Sequence, residues 1–71
     1  LNGLDKLKLA DLMQMVQQLP AGQRTIFNLY LVEGYSHKEI ASMLDISESG
    51  SKSQLHRAKQ FLKILLTDGQ N

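Results

Sequence analysis

Hydrophobic residues recur at helical spacing in four segments of the chain, and alternation typical of strands never extends beyond a few residues. The first segment follows the spacing i, i+3, i+4, i+7, which predicts one apolar stripe along a helix. The members of that stripe are Leu9, Leu12, Met13 and Val16. We therefore predict an all-α fold, a small four-helix domain in which residues 1–71 form a single unit. Its predicted helices are residues 5–18, 20–33, 37–44 and 48–66, with a frayed polar tail at 67–71.

Local signals mark the ends of these helices. Leu19 precedes Pro20 and is pushed out of the α region, which ends the first helix, and Pro20 is suited to open the second. Gly34 is suited to end the second helix because glycine adopts positive φ readily. Ser36 and Glu39 have the spacing of a capping box at the start of the third helix.

Only three residues, Asp45, Ile46 and Ser47, separate the third predicted helix from the fourth. Aspartate tolerates a left-handed turn conformation, and Ser47 is suited to N-cap the fourth helix. Two helices joined by so short a turn have the spacing of a helix-turn-helix. Short turns also occur in any small helical bundle, so a purely structural bundle remains an alternative.

The fourth helix separates into two faces on a helical wheel. The face predicted to point into the core carries Ser51, Leu55, Ala58, Leu62, Leu65 and Leu66. The opposite face is polar and basic, and no acidic residue interrupts it after Glu48. A helix in the major groove reads base edges through the hydrogen-bonding side chains that it exposes. We predict base readout by Ser49, Lys52, Ser53, His56 and Arg57, and contacts to the DNA backbone by Ser47, Lys38, Lys59 and Lys63.

Composition bounds the function. The 71 residues are 42% hydrophobic and 21% charged, which is ordinary for one globular domain. The net charge of +1 is small, but residues 1–48 carry −2 and residues 49–71 carry +3. This concentration of positive charge favours an anionic partner for the fourth helix. A solvated helix face is the alternative interpretation.

Candidate catalytic chemistry is missing from the sequence. There is no cysteine, and the two histidines, His37 and His56, lie on different predicted helices. A metal or acid–base site needs three or more convergent groups, so we predict no enzyme, no metal and no cofactor. The apolar runs are too short to span a bilayer, and we expect no export signal. We expect a cytoplasmic domain. Because its first residue is Leu, we expect either a domain excised from a longer chain or a chain with a disordered start.

The most specific feature of the chain is the string "LPAGQRTIFNLYLVEGYSHKEIASMLDIS" followed by "KSQLHRAK". In order and spacing it resembles domain 4 of the extracytoplasmic-function (ECF) sigma factors. These are dissociable subunits of bacterial RNA polymerase. The resemblance covers about residues 12–66. It implies a four-helix domain whose last helix enters the major groove of the −35 promoter element. Transferred to matching positions, the readout residues are Lys52, Ser53, His56 and Arg57, which the wheel also selects.

The resemblance also implies protein partners. In this family the apolar surface of domain 4 docks on the flap of the polymerase β subunit, and anti-sigma factors often cover the same faces. The second predicted helix is apolar on nearly every side, so it is either buried all round or offers spare apolar surface. The docking residues that we predict are Leu29, Tyr30, Val32, Ile64 and Leu65.

The chain departs from the family at Ser49-Gly50-Ser51, where members usually have Gly-Thr-Val. Glycine costs about 1 kcal/mol inside a helix, and Ser51 cannot fill the volume of a core valine. We therefore expect a weakened first turn in the fourth helix. Two rivals stay open: the output domain of a LuxR-type regulator, which shares the "GYSHKEIASMLDIS" pattern, and a protein-interaction module without a working DNA face.

Overall fold

Four helices make up the described part of the chain, in the order α1 (Gly3–Val16), α2 (Ala21–Phe27), α3 (His37–Leu44) and α4 (Glu48–Gly69), with a π-helical turn (Asn28–Val32) continuing α2. The computed structural model describes the backbone of residues 3–69 and the side chains of residues 9–65. Residues 3–69 contain no strand. The predicted all-α class is confirmed.

The connection between α1 and α2 begins earlier than the sequence predicts. The last α-helical residue is Val16, two residues before the predicted end. Gln17, Gln18 and Leu19 then donate their N–H groups to carbonyls three residues back, at 3.2, 2.9 and 3.1 Å. Such bonds tighten the last turn and satisfy the carbonyls that an α-helix leaves open at its end. Pro20 occupies the N-cap position, so α2 begins at Ala21.

The second predicted helix is α-helical only in its first half, and this corrects the prediction of one helix over residues 20–33. Beyond Phe27 the backbone widens into the π-helical turn, which Glu33 closes by donating its N–H to the carbonyl of Asn28 at 3.0 Å. Leu29 and Tyr30 pack against the core from this turn. Gly34 follows with φ +82°, the left-handed conformation expected there.

The third helix begins with the predicted capping box. Glu39 donates its N–H to Oγ of Ser36 at 3.1 Å, and the N–H of Ser36 donates to Oε1 of Glu39 at 3.0 Å. The bond from the backbone of Ser36, helped by its hydroxyl, lowers the pKa of the Glu39 carboxyl below its ordinary value. The carboxylate is therefore held in its charged form at the positive end of α3.

The fourth helix is longer than predicted. It runs from Glu48 to Gly69, so the prediction of a frayed tail is wrong for residues 67–69, and residues 70 and 71 lie outside the described part. No proline interrupts this stretch, and extending a formed helix gains one hydrogen bond for each residue that is fixed.

The core lies along α4, which packs against α1, α2 and α3. Ile40 of α3 and Ala58 of α4 have no exposed surface, and the small side chain of Ala58 lets neighbouring helices come close. The other buried apolar residues come from α1, α2, α4 and the α1–α2 connection: Val16, Leu19, Ile26, Phe27, Leu55 and Leu62. This packing leaves the opposite side of α4 exposed.

Candidate nucleic-acid interface

A tight turn sets the angle between α3 and α4. Asp45 adopts the left-handed conformation with φ 55° and ψ 49°, as the sequence predicts. The carbonyl of Ala41 accepts the N–H of Asp45 and the N–H of Ile46, the latter at 3.0 Å. These bonds satisfy the end of α3, and two residues later α4 begins. The pair α3–α4 thus has the geometry of a helix-turn-helix with a three-residue connection.

Ser47 caps the start of α4. Its Oγ accepts the N–H of Gly50 at 2.8 Å, and it lies 3.2 Å from Oγ of Ser49. A Cβ atom added at Gly50 would lie only 2.9 Å from the capping oxygen. The glycine that the sequence marks as a weakness therefore gives the cap its room. The turn that we expect to be weak is helical from Glu48 onward.

The two faces of α4 separate as the helical wheel predicts. Ser51, Leu55, Ala58 and Leu62 are buried, Leu65 is half-buried, and the side chain of Leu66 lies outside the described residues. The side chains predicted to read bases are all exposed: Ser49, Lys52, Ser53, His56 and Arg57. The residues predicted to contact the DNA backbone are exposed too: Ser47, Lys38, Lys59 and Lys63. We call the exposed side of α4 from Ser49 to Lys63 the basic face.

The basic face combines cations with hydrogen-bond donors and acceptors on one helix. Lys52, Arg57, Lys59 and Lys63 supply the positive charge, and Glu48 at the start of α4 is its one acidic residue before Asp68. Arginine and lysine match the acceptor atoms of guanine and of phosphate, and serine hydroxyls match several base edges. This arrangement suits the groove and the backbone of duplex DNA.

A second surface of the domain is apolar. A groove of about 370 Å³ lies between α1 and the end of the second helical segment, lined mainly by Leu9, Leu12, Met13, Val16, Phe27 and Val32. Three of these are strongly exposed: Leu9 at 53%, Met13 at 62% and Val32 at 73%. We call this groove between α1 and the π-helical turn the α1 groove. From the sequence, Leu9 and Met13 are predicted only as members of the helix stripe, although their spacing also indicates this surface.

The predicted docking residues do not form one surface. Val32 lines the α1 groove, whereas Leu29 and Tyr30 are half-buried against the core. Ile64 is 59% exposed and Leu65 is half-buried, and neither lines the groove. Of the five predicted docking residues, Val32 thus lies in the α1 groove together with residues of α1.

The described residues contain no group of three or more His, Asp or Glu side chains placed to hold a metal ion. None of the described helices combines the length and the hydropathy needed to cross a bilayer.

Comparisons with known proteins agree on one family. The profile of the family described as "Sigma-70, region 4" matches residues 9–62. The chain is 38% identical over 56 residues to the ECF RNA polymerase sigma factor SigM of Bacillus subtilis (strain 168). That alignment covers 79% of this chain and 34% of the relative, so the chain spans about a third of the relative's length. No solved structure matches the chain significantly.

Proposed function

The chain belongs to the sigma-70 region 4 family of helix-turn-helix, DNA-binding transcription domains, and from that premise we propose that it recognises the −35 promoter element for an ECF-type sigma factor. In this proposal α4 is the recognition helix and lies in the major groove. The same domain docks on RNA polymerase, so that promoter recognition and polymerase recruitment use different surfaces of one small core.

The observation that carries the DNA-binding part is the exposure of the whole basic face. A recognition helix reads bases mainly from its first turns. There Ser49, Lys52 and Ser53 are exposed, followed one turn later by His56 and Arg57. Arg57 has the strongest chemistry for a specific contact, because its guanidinium can donate two bonds to one guanine. Lys59 and Lys63 lie further along α4 and are assigned to phosphates, as are Lys38 in the first turn of α3 and Ser47 in the connection before α4.

The α1 groove supports the second part of the proposal. Exposed apolar side chains gathered in one groove mark sites where proteins bind. We assign the groove to the flap of the polymerase β subunit, with Val32 as its most exposed large apolar residue. An anti-sigma factor is the competing occupant, since it would cover the same apolar side chains. Ile64 offers further apolar surface on α4.

Selection of duplex DNA tests the proposal directly. The 71-residue chain is used to enrich binding sites from a pool of random duplexes, and the affinity for the enriched site is measured by fluorescence anisotropy at several salt concentrations. We expect one enriched motif and a linear fall of log affinity with log salt, with a slope near −0.9 for each phosphate contacted. No enrichment and no salt slope would leave a protein-interaction module and overturn the DNA-binding part.

Copurification tests the polymerase part. The chain is added to core RNA polymerase and passed over a size-exclusion column, with bovine serum albumin as the negative control. Comigration in a stoichiometric ratio is expected of a sigma domain. The LuxR-type alternative, which family membership disfavours, predicts DNA binding without comigration.

A further inference from the structure

A part-buried polar contact joins the start of α3 to the first turns of α4. Nδ1 of His37 lies 2.8 Å from Oγ of Ser51, and Ser51 has no exposed surface. The ring of His37 also stacks on Tyr30, with 4.3 Å between ring centroids and 19° between ring planes. The three side chains therefore connect the π-helical turn, α3 and α4.

Neighbouring bonds hold His37 in place independently of α4. It is the first residue of α3 and follows Ser36, whose capping box with Glu39 fixes that end of the helix. The N–H of Tyr35 donates to the carbonyl of Leu29 at 2.9 Å, which ties the preceding loop to the π-helical turn. These bonds fix the backbone at His37, and the stack on Tyr30 orients the imidazole that meets α4.

The burial of Ser51 makes this bond important for α4. A hydroxyl withdrawn from water destabilises the fold unless it has a hydrogen-bond partner. The bond to His37 is therefore favoured over any rotation of α4 that separates the two groups. Lys52 and Ser53 follow directly and point outward, so the rotation that satisfies Ser51 also sets the direction in which they project.

We propose that His37 is a positioning residue for the recognition helix: through its bond to buried Ser51 it fixes the rotation of the first turns of α4, and thereby the aim of Lys52 and Ser53. The inference deepens the proposed function and rests on it for its effect on DNA. It also explains how a serine occupies a fully buried position in this chain.

The test uses the single variants His37→Phe and Ser51→Ala and the double variant. Phenylalanine keeps a ring for stacking but removes the bond, and alanine removes only the hydroxyl. Hydrogen exchange is measured in the free chain at the amides of Gly50 and Ser51, which bond to Ser47. We expect both amides to exchange about 3- to 10-fold faster in each single variant. The double variant should be no faster than the faster single variant.

Two internal references separate positioning from general destabilisation. The amide of Ala58, later in α4, should keep its exchange rate in all variants. Ser42→Ala removes an exposed hydroxyl from α3 and should change nothing. The 15N NMR chemical shifts of the His37 imidazole should change in Ser51→Ala, because the hydrogen bond between Nδ1 and Oγ of Ser51 is lost. If His37→Phe fails to fold by circular dichroism, Ser51→Ala carries the same test, since it deletes a single oxygen.

The DNA measurement is the ratio of affinities for the enriched site and a scrambled duplex. This ratio should fall about 3- to 10-fold in each single variant, without a further fall in the double variant. The positioning role is overturned if the exchange rates at Gly50 and Ser51 are unchanged, or if the exchange rate at Ala58 rises by the same factor. Either result decides the point regardless of the DNA affinities. Faster local exchange with an unchanged affinity ratio overturns it as well. If the wild-type chain binds the enriched site and the scrambled duplex equally well, the proposed function is overturned instead. The exchange data would still decide whether His37 fixes the first turns of α4.

Discussion

Because Ser47 caps α4, we predict that Gly50→Ala does not stabilise the domain as such a substitution ordinarily would. Replacing glycine by alanine in a helix ordinarily stabilises it by about 1 kcal/mol. Here the new Cβ would lie 2.9 Å from Oγ of Ser47, and the hydroxyl has to rotate away to relieve the contact. That rotation breaks the 2.8 Å bond to the N–H of residue 50 and loses a cap contribution of about 1 kcal/mol. The two effects cancel, so the free energy of unfolding should stay within about 0.5 kcal/mol of wild type.

Removing the capping oxygen should restore the ordinary gain. Ser47→Ala alone loses about 1 kcal/mol, and Gly50→Ala added to it should regain about 1 kcal/mol because no oxygen remains in the way. Gly22→Ala is the matched control: Gly22 lies in the first turn of α2, and a Cβ there meets nothing within 4 Å. Its gain should be the same in both backgrounds.

The assay is urea denaturation of the four variants of the cycle and of both control variants, followed by circular dichroism at pH 7. Thermal melts supply a second reading, since 1 kcal/mol corresponds to roughly 4–8 °C in a domain of this size. The coupling free energy between Ser47 and Gly50 should be about 1 kcal/mol. A full gain from Gly50→Ala in the wild-type background would refute the reasoning, because it would show that the cap and the Cβ coexist.

Three further predictions concern DNA, pH and the polymerase. Arg57→Ala should weaken binding to the enriched site by about 1–3 kcal/mol and relax the sequence specificity. Lys59→Ala should instead weaken binding to all sequences alike and reduce the salt slope by about one. Fluorescence anisotropy measures both effects. Because the folded state lowers the pKa of Glu39, its carboxylate stabilises the domain above the ordinary value of 4.5, and this contribution is lost as the pH falls through the lower folded value. Thermal melts should therefore show the difference between wild type and Glu39→Gln shrinking as the pH falls below 4.5. Val32→Asp should reduce comigration with core polymerase while leaving DNA affinity unchanged.

Each of these has a contrary outcome. Equal affinity of wild type and Arg57→Ala for the best site contradicts a base-reading role. A pH-independent difference between wild type and Glu39→Gln contradicts the capping-box origin of the lowered pKa. For the groove, Met43→Asp is the control, because Met43 is 52% exposed on α3 and does not line the α1 groove. Equal loss of comigration in both variants contradicts a role of the groove.

Local signals in the sequence were sufficient for the helix-turn-helix. The capping box of Ser36 and Glu39, the left-handed Asp45 and the positive φ of Gly34 all depend on residues within a few positions of one another. The inner and outer faces of α4 follow from the helical repeat alone. These features could be predicted because short-range sterics and hydrogen bonding determine them.

Features that depend on how the helices pack could not be predicted in the same way. The π-helical turn lets Leu29 and Tyr30 pack against the core, although the sequence suggested a docking role for both. By helix propensity alone Gly50 is a weak position, and only the place of the Ser47 hydroxyl shows that the missing side chain gives the cap its room.

The sequence by itself determined the four helices, their order and the basic face of α4. Only the tertiary structure decided that Ser51 meets His37 across 14 residues of chain, that Tyr30 stacks on that ring, and that Val32 joins residues of α1 in one groove. The physical reason is the range of the interactions: a helix and its cap are set by neighbours in sequence, whereas side chains on different helices meet only where packing of the core fixes the distances between those helices.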